Sequence, residues 1–343
     1  MSATDGEGGP RTAGAPGSAG SRGAAGSPGS GTGPQTAREM LDLAKAFLER
    51  KELPEWRLEA ELLVAQALNV SRMGLFLIFE RPVSGAEVDL ARDFLVRRGR
   101  REPTAYIIGK REFYCRDFAV GPGVLIPRPE TELLVDRARE LAAALGVEGD
   151  RGAHAEPAGA ERGQGENAKE PYRIAELGTG SGCLAVTLAL EIPGAEIIAT
   201  DISARALEQA RANGEALGAV VHWQVGDGLA PLAECAARNG PFDLLLSNPP
   251  YIGGDEAGEL APEVIDYEPR EALFAPGYER DYWLRRLVAE GVELLKPGGY
   301  LLVELGAAQG AAARELCAAR GLSCEVRRDL AGLDRVLEVR RPV

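Results

Sequence analysis

Histidine is nearly missing from this chain: His154 and His222 are the only two among 343 residues. That excludes a multi-histidine metal centre. Cysteine is sparse as well. Cys115, Cys183, Cys235, Cys317 and Cys324 are odd in number and form no C-x-x-C pair, which argues against a disulfide framework and against a zinc ribbon. No metal is expected. Long apolar runs are absent too, with nothing approaching the ~18–20 residues of a membrane span and no apolar stretch typical of a secretory signal at the N-terminus. A cytoplasmic protein without a membrane partner is expected. Basic residues are in deficit: 39 Lys and Arg face 52 Asp and Glu, leaving a net charge of −13. Such a chain is a poor non-specific ligand for nucleic acid, whose binding relies on Lys and Arg displacing counterions. What the chain does have is an ordinary apolar share, 45%, enough for a real core. Its length suits about two domains of ~100–200 residues each.

Gly, Ala, Ser and Pro fill 26 of the first 35 positions. That composition cannot bury enough apolar surface to offset its ordering entropy, so 1–35 reads as a disordered tail. Helical patterns follow. Thr36 with Glu39, and Ser84 with Glu87, are capping-box signatures that open the first and third helices. The second runs from about Pro54 to Leu68. A small helical domain is expected over 36–98. Its end carries Arg97, Arg98, Arg100 and Arg101, most simply a complement to a helix C-terminus. From Tyr106 to Val120, aromatic and β-branched residues around Gly109 and Lys110 predict a hairpin, within a linker spanning 99–125.

Beyond 126, apolar strands alternate with amphipathic helices as far as 343, the pattern of a mostly parallel, doubly wound α/β sheet. Strands are expected at Arg173–Glu176, Glu196–Asp201, Val220–Val225, Phe242–Ser247, Tyr300–Glu304, Ser323–Arg327 and Arg335–Val339. Helices are expected at Ser181–Leu190 and Ser203–Leu217. The stretch 148–170 contains no Ile, Leu, Val, Met or aromatic residue and reads as a flexible insertion. It holds His154, which receives no catalytic role.

The sharpest local feature is Glu176-Leu-Gly178-Thr179-Gly180-Ser181-Gly182, at a strand-to-helix junction. Glycines there allow a tight turn and close approach of a ligand to the peptide groups. A nicotinamide loop would carry its third glycine at 183, where Cys183 stands, and no Gly-Lys-Ser/Thr follows as in a phosphate-binding loop. The next strands end near Asp201 and Asp227. Asp201 is placed to accept ribose hydroxyls, although it could equally serve the start of the helix capped by Ser203. Asp227 could reach an adenine amino group. Adenosine recognition without a cationic clamp for phosphates points to S-adenosylmethionine. Finally, Asn248-Pro249-Pro250-Tyr251 follows a strand. Two prolines fix φ and remove N–H donors, making a stiff turn on the same sheet edge as the glycine loop.

This combination resembles the class I S-adenosylmethionine-dependent methyltransferases that act on amide or exocyclic nitrogen. The chain from about 36 to 343 is similar to one branch, the release factor glutamine methyltransferases (the HemK or PrmC family). The likeness extends to Glu102–Gly109 with Glu112-Phe113-Tyr114, to Leu125-Ile-Pro-Arg-Pro-Glu-Thr-Glu132, to Tyr267–Leu273 and to Glu304-Leu-Gly306 with Gln309. The resemblance implies a Rossmann-like methyltransferase sheet over 126–343, with 36–98 helping to dock class I peptide chain release factors. It implies N5 methylation of the glutamine in their Gly-Gly-Gln motif. It also implies that Glu176 and Gly178 to Gly182 cradle the cofactor and that Asp201 takes the ribose. Asp227 and Gly228 would border the adenine. Asn248, Pro249, Pro250 and Tyr251 would bind the substrate amide, with Asn248, Pro249 and Tyr251 catalytic and Asn248 also near the cofactor. Family members often carry Trp or another large residue where this chain has Gly228, so a neighbour such as Leu229 is expected to supply the adenine wall. A monomer is expected. The competing readings are a nucleic-acid amino methyltransferase, which the acidic charge disfavours, and a non-catalytic protein that binds translation factors.

Overall fold

The computed structural model describes residues 33–147 and 170–343. Most of the expected tail at 1–35 and of the expected insertion at 148–170, His154 included, lies outside these residues.

Five helices come first: α1 (Ala37–Glu49), α2 (Trp56–Ala67), α3 (Arg72–Leu77), α4 (Gly85–Gly99) and α5 (Thr104–Ile108). The Thr36 hydroxyl accepts from the Glu39 amide, while the Glu39 carboxylate reaches back one residue further than expected, to the Gln35 amide. At Ser84 the full reciprocal box forms. Met40, Leu41, Ala44 and Leu48 of α1 meet Leu63 and Val64 of α2 and Phe94 of α4 in one buried cluster.

The hairpin expected from Tyr106 onward does not begin there: residues 106–108 belong to α5, which Gly109 ends in the left-handed conformation with φ +82°. The hairpin is confined to β1 (Lys110–Phe113) and β2 (Arg116–Ala119), paired antiparallel. The arginines at the end of α4 do more than complement its terminus. Arg98 is buried, and its guanidinium pairs with Glu59 on α2 and with Glu263 far along the chain.

Then come α6 (Glu132–Ala144), β3 (Arg173–Leu177), α7 (Cys183–Glu191), β4 (Glu196–Asp201), α8 (Ala204–Leu217), β5 (His222–Val225), α9 (Ala230–Asn239) and β6 (Phe242–Ser247). An irregular stretch carries α10 (Pro262–Tyr267), α11 (Arg270–Leu273) and α12 (Tyr282–Arg286). The chain closes with β7 (Leu295–Glu304), α13 (Gly310–Ala319), β8 (Cys324–Arg328) and β9 (Asp334–Arg340). The seven strands β3 to β9 form one sheet in the order β5-β4-β3-β6-β7-β9-β8. β3 to β7 run parallel. β9 inserts antiparallel between β7 and β8. Alternate residues face opposite layers: Ile174, Leu244 and Leu246 join the cluster with α6 and α7, whereas Ala175 and Leu245 join the one with α9 and α13. Both faces are therefore covered, as a doubly wound sheet requires.

The fold's main consequence for function lies between β3 and β6. These neighbours are connected outward in opposite directions, β3 to β4 and β6 to β7. Their carboxyl ends mark a topological switch point, the crevice where such sheets bind ligands. The glycine loop follows β3 and Asn248-Pro-Pro-Tyr251 follows β6.

Candidate active site

A cavity of about 350 Å³ opens at that switch point. Glu176, Gly178, Thr179, Gly180 and Ser181 line it from the loop after β3. Asp201, Asp227 and Gly228 line it from the ends of β4 and β5, and Asn248, Pro249 and Pro250 from the end of β6. Gly178 and Gly180 have positive φ, +77° and +56°, and a Cβ on either would point into open space. Side chains there would occupy the cavity. Gly182, expected with them, is placed differently. It stands outside the lining, at φ +78°, and an added Cβ would lie 2.9 Å from the Ala210 Cβ and 3.1 Å from Trp223. Its missing side chain lets α7 approach α8, and helix α7 begins one residue later, at Cys183.

The acids are held in different ways. One Asp201 oxygen accepts from the Gly180 amide at 2.9 Å and the other from the Ser203 amide at 2.9 Å. Asp201 thus ties the glycine loop to the start of α8 while facing the cavity. Burial pushes its carboxyl above the usual range, against the pull of these amides. Burial also raises Glu176, to about 7, and the Asp201 charge adds to the rise, although the Thr179 hydroxyl donates to Glu176 at 2.7 Å. Asp227 borders the cavity two residues beyond the end of β5.

The wall beside Gly228 is not Leu229. That residue is buried in the sheet-face core with Ile198 and Leu232, because the turn after Gly228 directs its side chain inward. Trp283 of α12 takes the place. Its ring lies 3.4 Å from where a Gly228 Cβ would stand, and it lines the cavity. Arg286 stacks over the same ring, 5.4 Å from its centroid. The sequence signal for Trp283 is weak: it is one of three tryptophans, 55 positions beyond the glycine it covers.

A second cavity, about 470 Å³, lies on the other side of the Asn248 loop. Asn248 and Pro249 line both cavities, and Tyr251 lines only the second. Burial pushes the Tyr251 phenol up to about 12. Its ring packs against Gly306, where an added Cβ would lie 3.0 Å away. Gln309 clamps that turn by accepting from the Gly306 amide and donating to the Arg280 carbonyl.

Leu125, Arg128 and Thr131, from a stretch noted for family likeness but given no site role, also line the first cavity. Arg128 is paired with the buried Glu268, which further accepts from the Ile126 amide. The Thr131 hydroxyl lies 3.0 Å from the Asn248 side-chain nitrogen and 2.6 Å from the Glu304 carboxylate. Among the described residues, no cluster of His, Cys, Asp and Glu is arranged to hold a metal ion, and no helix is long and apolar enough to cross a membrane.

Residues 39–109 match the PrmC N-terminal domain family, and residues 166–278 match the methyltransferase small domain family. The chain is 40% identical to a release factor glutamine methyltransferase of Chlorobaculum tepidum, over 87% of this chain and 95% of that one. It is 36% identical to one from Geobacter sulfurreducens, over 88% and 95%. Among solved structures it is similar to the release factor-specific protein-(glutamine-N5) methyltransferase of Alicyclobacillus acidocaldarius. That match has 28% identity and a TM-score of 0.37, covering 66% of this chain and all of that one.

Proposed function

The chain belongs to the release factor glutamine methyltransferase family, and from that premise we propose that it methylates the side-chain N5 of the glutamine in the Gly-Gly-Gln motif of class I peptide chain release factors, using S-adenosylmethionine. Translation termination, in the cytoplasm, is the process it modulates. The observation that carries the reading is the shared wall: Asn248 and Pro249 border two cavities at once. One suits a cofactor and the other a side chain presented to it.

The first cavity fits the cofactor. Gly178 and Gly180 leave free the space a Cβ would take, and Asp201 offers a carboxylate for ribose hydroxyls. Asp227, Gly228 and Trp283 border the adenine side. Among the described residues lining this cavity, Arg128 is the one cationic side chain and is already paired with Glu268, so the site suits an adenosine without phosphates. When bound, S-adenosylmethionine supplies a methyl group already activated by its sulfonium.

The protein's share of the chemistry is to make a poor nucleophile attack in the right direction. An amide nitrogen has its lone pair delocalised into the carbonyl. The Asn248 side-chain oxygen and the Pro249 carbonyl each accept one of the substrate's N–H groups. Two acceptors fix the direction of the nitrogen and favour the positive charge that grows on it during attack. Tyr251, held against Gly306, presents a ring face to the planar amide from the second cavity. The alkylated nitrogen is strongly acidic and loses its proton after attack, so no strong base is required beforehand.

The test is intact-mass and peptide-mapping analysis of a class I release factor co-expressed with the enzyme. One added methyl on the Gly-Gly-Gln glutamine is expected. An unmodified release factor, with methyl transfer instead to RNA or DNA in parallel assays, would replace this reading with the nucleic-acid one.

A further inference from the structure

Behind Asn248 lies a chain of buried polar groups that the reaction described above does not use. Asn248 follows β6, Thr131 stands at the start of α6 and Glu304 ends β7. Thr131 and Glu304 are both almost fully buried, at 3% and 2% exposure. The Asn248 side-chain nitrogen lies 3.0 Å from the Thr131 hydroxyl oxygen, which lies 2.6 Å from a Glu304 oxygen.

The chemistry of the three groups gives this chain a direction. A threonine hydroxyl has one proton to donate, and an ionised carboxylate can only accept. The Thr131 proton is therefore committed to Glu304, and towards Asn248 the hydroxyl can only accept. The Asn248 NH2 must face Thr131, which leaves its oxygen as the free end. Without that constraint an asparagine amide can present either end, since the two have the same shape. The wrong end would set N–H against N–H and turn an acceptor into a repulsive contact. We infer that Thr131 and Glu304 are positioning residues that determine which end of the Asn248 amide meets the substrate. The inference rests on the proposed role of Asn248 as acceptor for the glutamine amide.

The same chain makes the orientation sensitive to pH. Burial pushes the Glu304 carboxyl up to about 7, and Glu130 adds to the rise, while the Thr131 bond, Arg335 and Arg128 oppose it. Tyr251 and Cys183 also sense this charge, but burial raises both to about 12, so they stay neutral around pH 7. Once protonated, Glu304 can donate to Thr131. The hydroxyl is then free to donate to the Asn248 oxygen, and the amide turns over. Methyl transfer is expected to fall as pH drops through about 7.

The experiment is single-turnover methylation of a full-length release factor by wild type, Thr131→Val, Thr131→Ser and Glu304→Gln, from pH 6 to 8.5, with cofactor affinity measured by calorimetry. Thr131→Val is expected to lose about 10- to 100-fold in rate, the scale of a misoriented reacting group. Its cofactor affinity should hold, and Thr131→Ser should recover most of the rate. Glu304→Gln should be slower than wild type at pH 8 and should lose the acidic fall in rate. In the cofactor-free protein, the Asn248 side-chain NH2 resonance, assigned by its loss in Asn248→Asp, should move with pH in wild type and not in Glu304→Gln. Wild-type rate in Thr131→Val overturns the inference. So does an Asn248 NH2 resonance that still moves with pH in Glu304→Gln, a readout local to Asn248 and therefore separate from Glu176, which burial also raises to about 7; this comparison decides the matter if the valine variant does not fold. A wild-type enzyme inert towards release factor would instead remove the proposed substrate, a distinguishable result.

Discussion

Asn248 combines contact with both cavities and a fixed amide, so its replacement should separate chemistry from binding. Asn248→Ala is predicted to lower methyl transfer by at least ~100-fold, the range for one preorganised polar group at a reacting centre. Cofactor affinity should fall far less. Asn248→Asp keeps an acceptor oxygen but cannot donate to Thr131, so its rate should lie between those of alanine and wild type. A near-wild-type single-turnover rate for the alanine variant would reduce the loop to a rigid turn. Trp283 tests the opposite wall. If its ring covers the adenine, Trp283→Ala should weaken cofactor binding by ~1–3 kcal/mol, the usual value for removing an aromatic partner from a base. Unchanged affinity by calorimetry would take Trp283 out of the site. The two residues also differ in how readily the sequence reveals them. Asn248 sits in a contiguous motif whose stiffness and position follow from its prolines. Trp283 serves the cavity from another helix, and adjacency in sequence favoured Leu229, whose side chain turns into the core. Thr131 was likewise visible within its stretch, but its bonds to Asn248 and Glu304 join three separate segments.

Elements whose ends are set by neighbouring residues were readable. Thr36, Ser84 and Ser203 each accept from an amide three residues on, and Gly218 ends α8 at φ +73°. Helices α3 and α5, of six and five residues, are too short to show an apolar period, and the aromatic and β-branched residues 106–108 of the second carry a strand-like pattern. Contacts between elements were the least readable. Arg98 looked like surface charge at the end of α4, yet it is buried between Glu59 of α2 and Glu263 of α10. The Tyr267 hydroxyl, also from α10, donates to the Arg100 carbonyl nearby. Helix α10 contributes Val264 to the second cavity, so this junction ties the N-terminal helices to the wall of the proposed substrate side. Glu59 and Glu263 are only partly buried and Glu263 keeps Arg101 at 3.9 Å, so removing Arg98 should cost less than the loss of a fully buried partner, roughly 1–3 kcal/mol. Arg98→Ala is therefore predicted to lower the unfolding free energy by about that much. In the protein that remains folded, KM for release factor should rise more than KM for cofactor. A urea midpoint equal to wild type would mean that the cluster contributes nothing to holding the two parts together.

Across the whole molecule, strand-helix alternation foretold a mostly parallel sheet with its functional loops on one edge, because parallel strands all end on the same side. It did not foretell the antiparallel entry of β9 between β7 and β8, which depends on pairing between distant segments. Nor did it show that this edge would gather buried acids, which give stability an unusual pH dependence. Glu176 and Glu304 are both raised to about 7 by burial. Between the ordinary carboxyl value near 4.5 and that value, the folded state holds protons that the unfolded state has released. Their contribution is thus fully present below about 4.5 and is lost as pH rises through about 7. A rise from 4.5 to about 7 corresponds to roughly 3 kcal/mol each. Glu338 behaves in the opposite way: burial pushes it up, but Arg137 and Arg327 outweigh burial and hold it low. Glu61 is lowered as well, with Arg72 and Lys45 overcoming its burial. The stability these two supply is present above the ordinary carboxyl range and disappears as pH falls below it. Thermal stability should therefore rise from pH 8 to 6 and decline again below about 4. The net charge of −13 works in the same direction over the upper range, since protonation relieves self-repulsion, so the slope alone does not identify its source. Glu304→Gln separates the two causes. It changes the net charge by one unit but removes one of the two carboxyls raised to about 7 (burial also raises Asp201), and it should flatten a substantial part of the rise between pH 8 and 6 in melts at matched ionic strength. An undiminished slope in that variant would remove Glu304 as a source and leave overall repulsion and Glu176, also raised to about 7, to account for the rise.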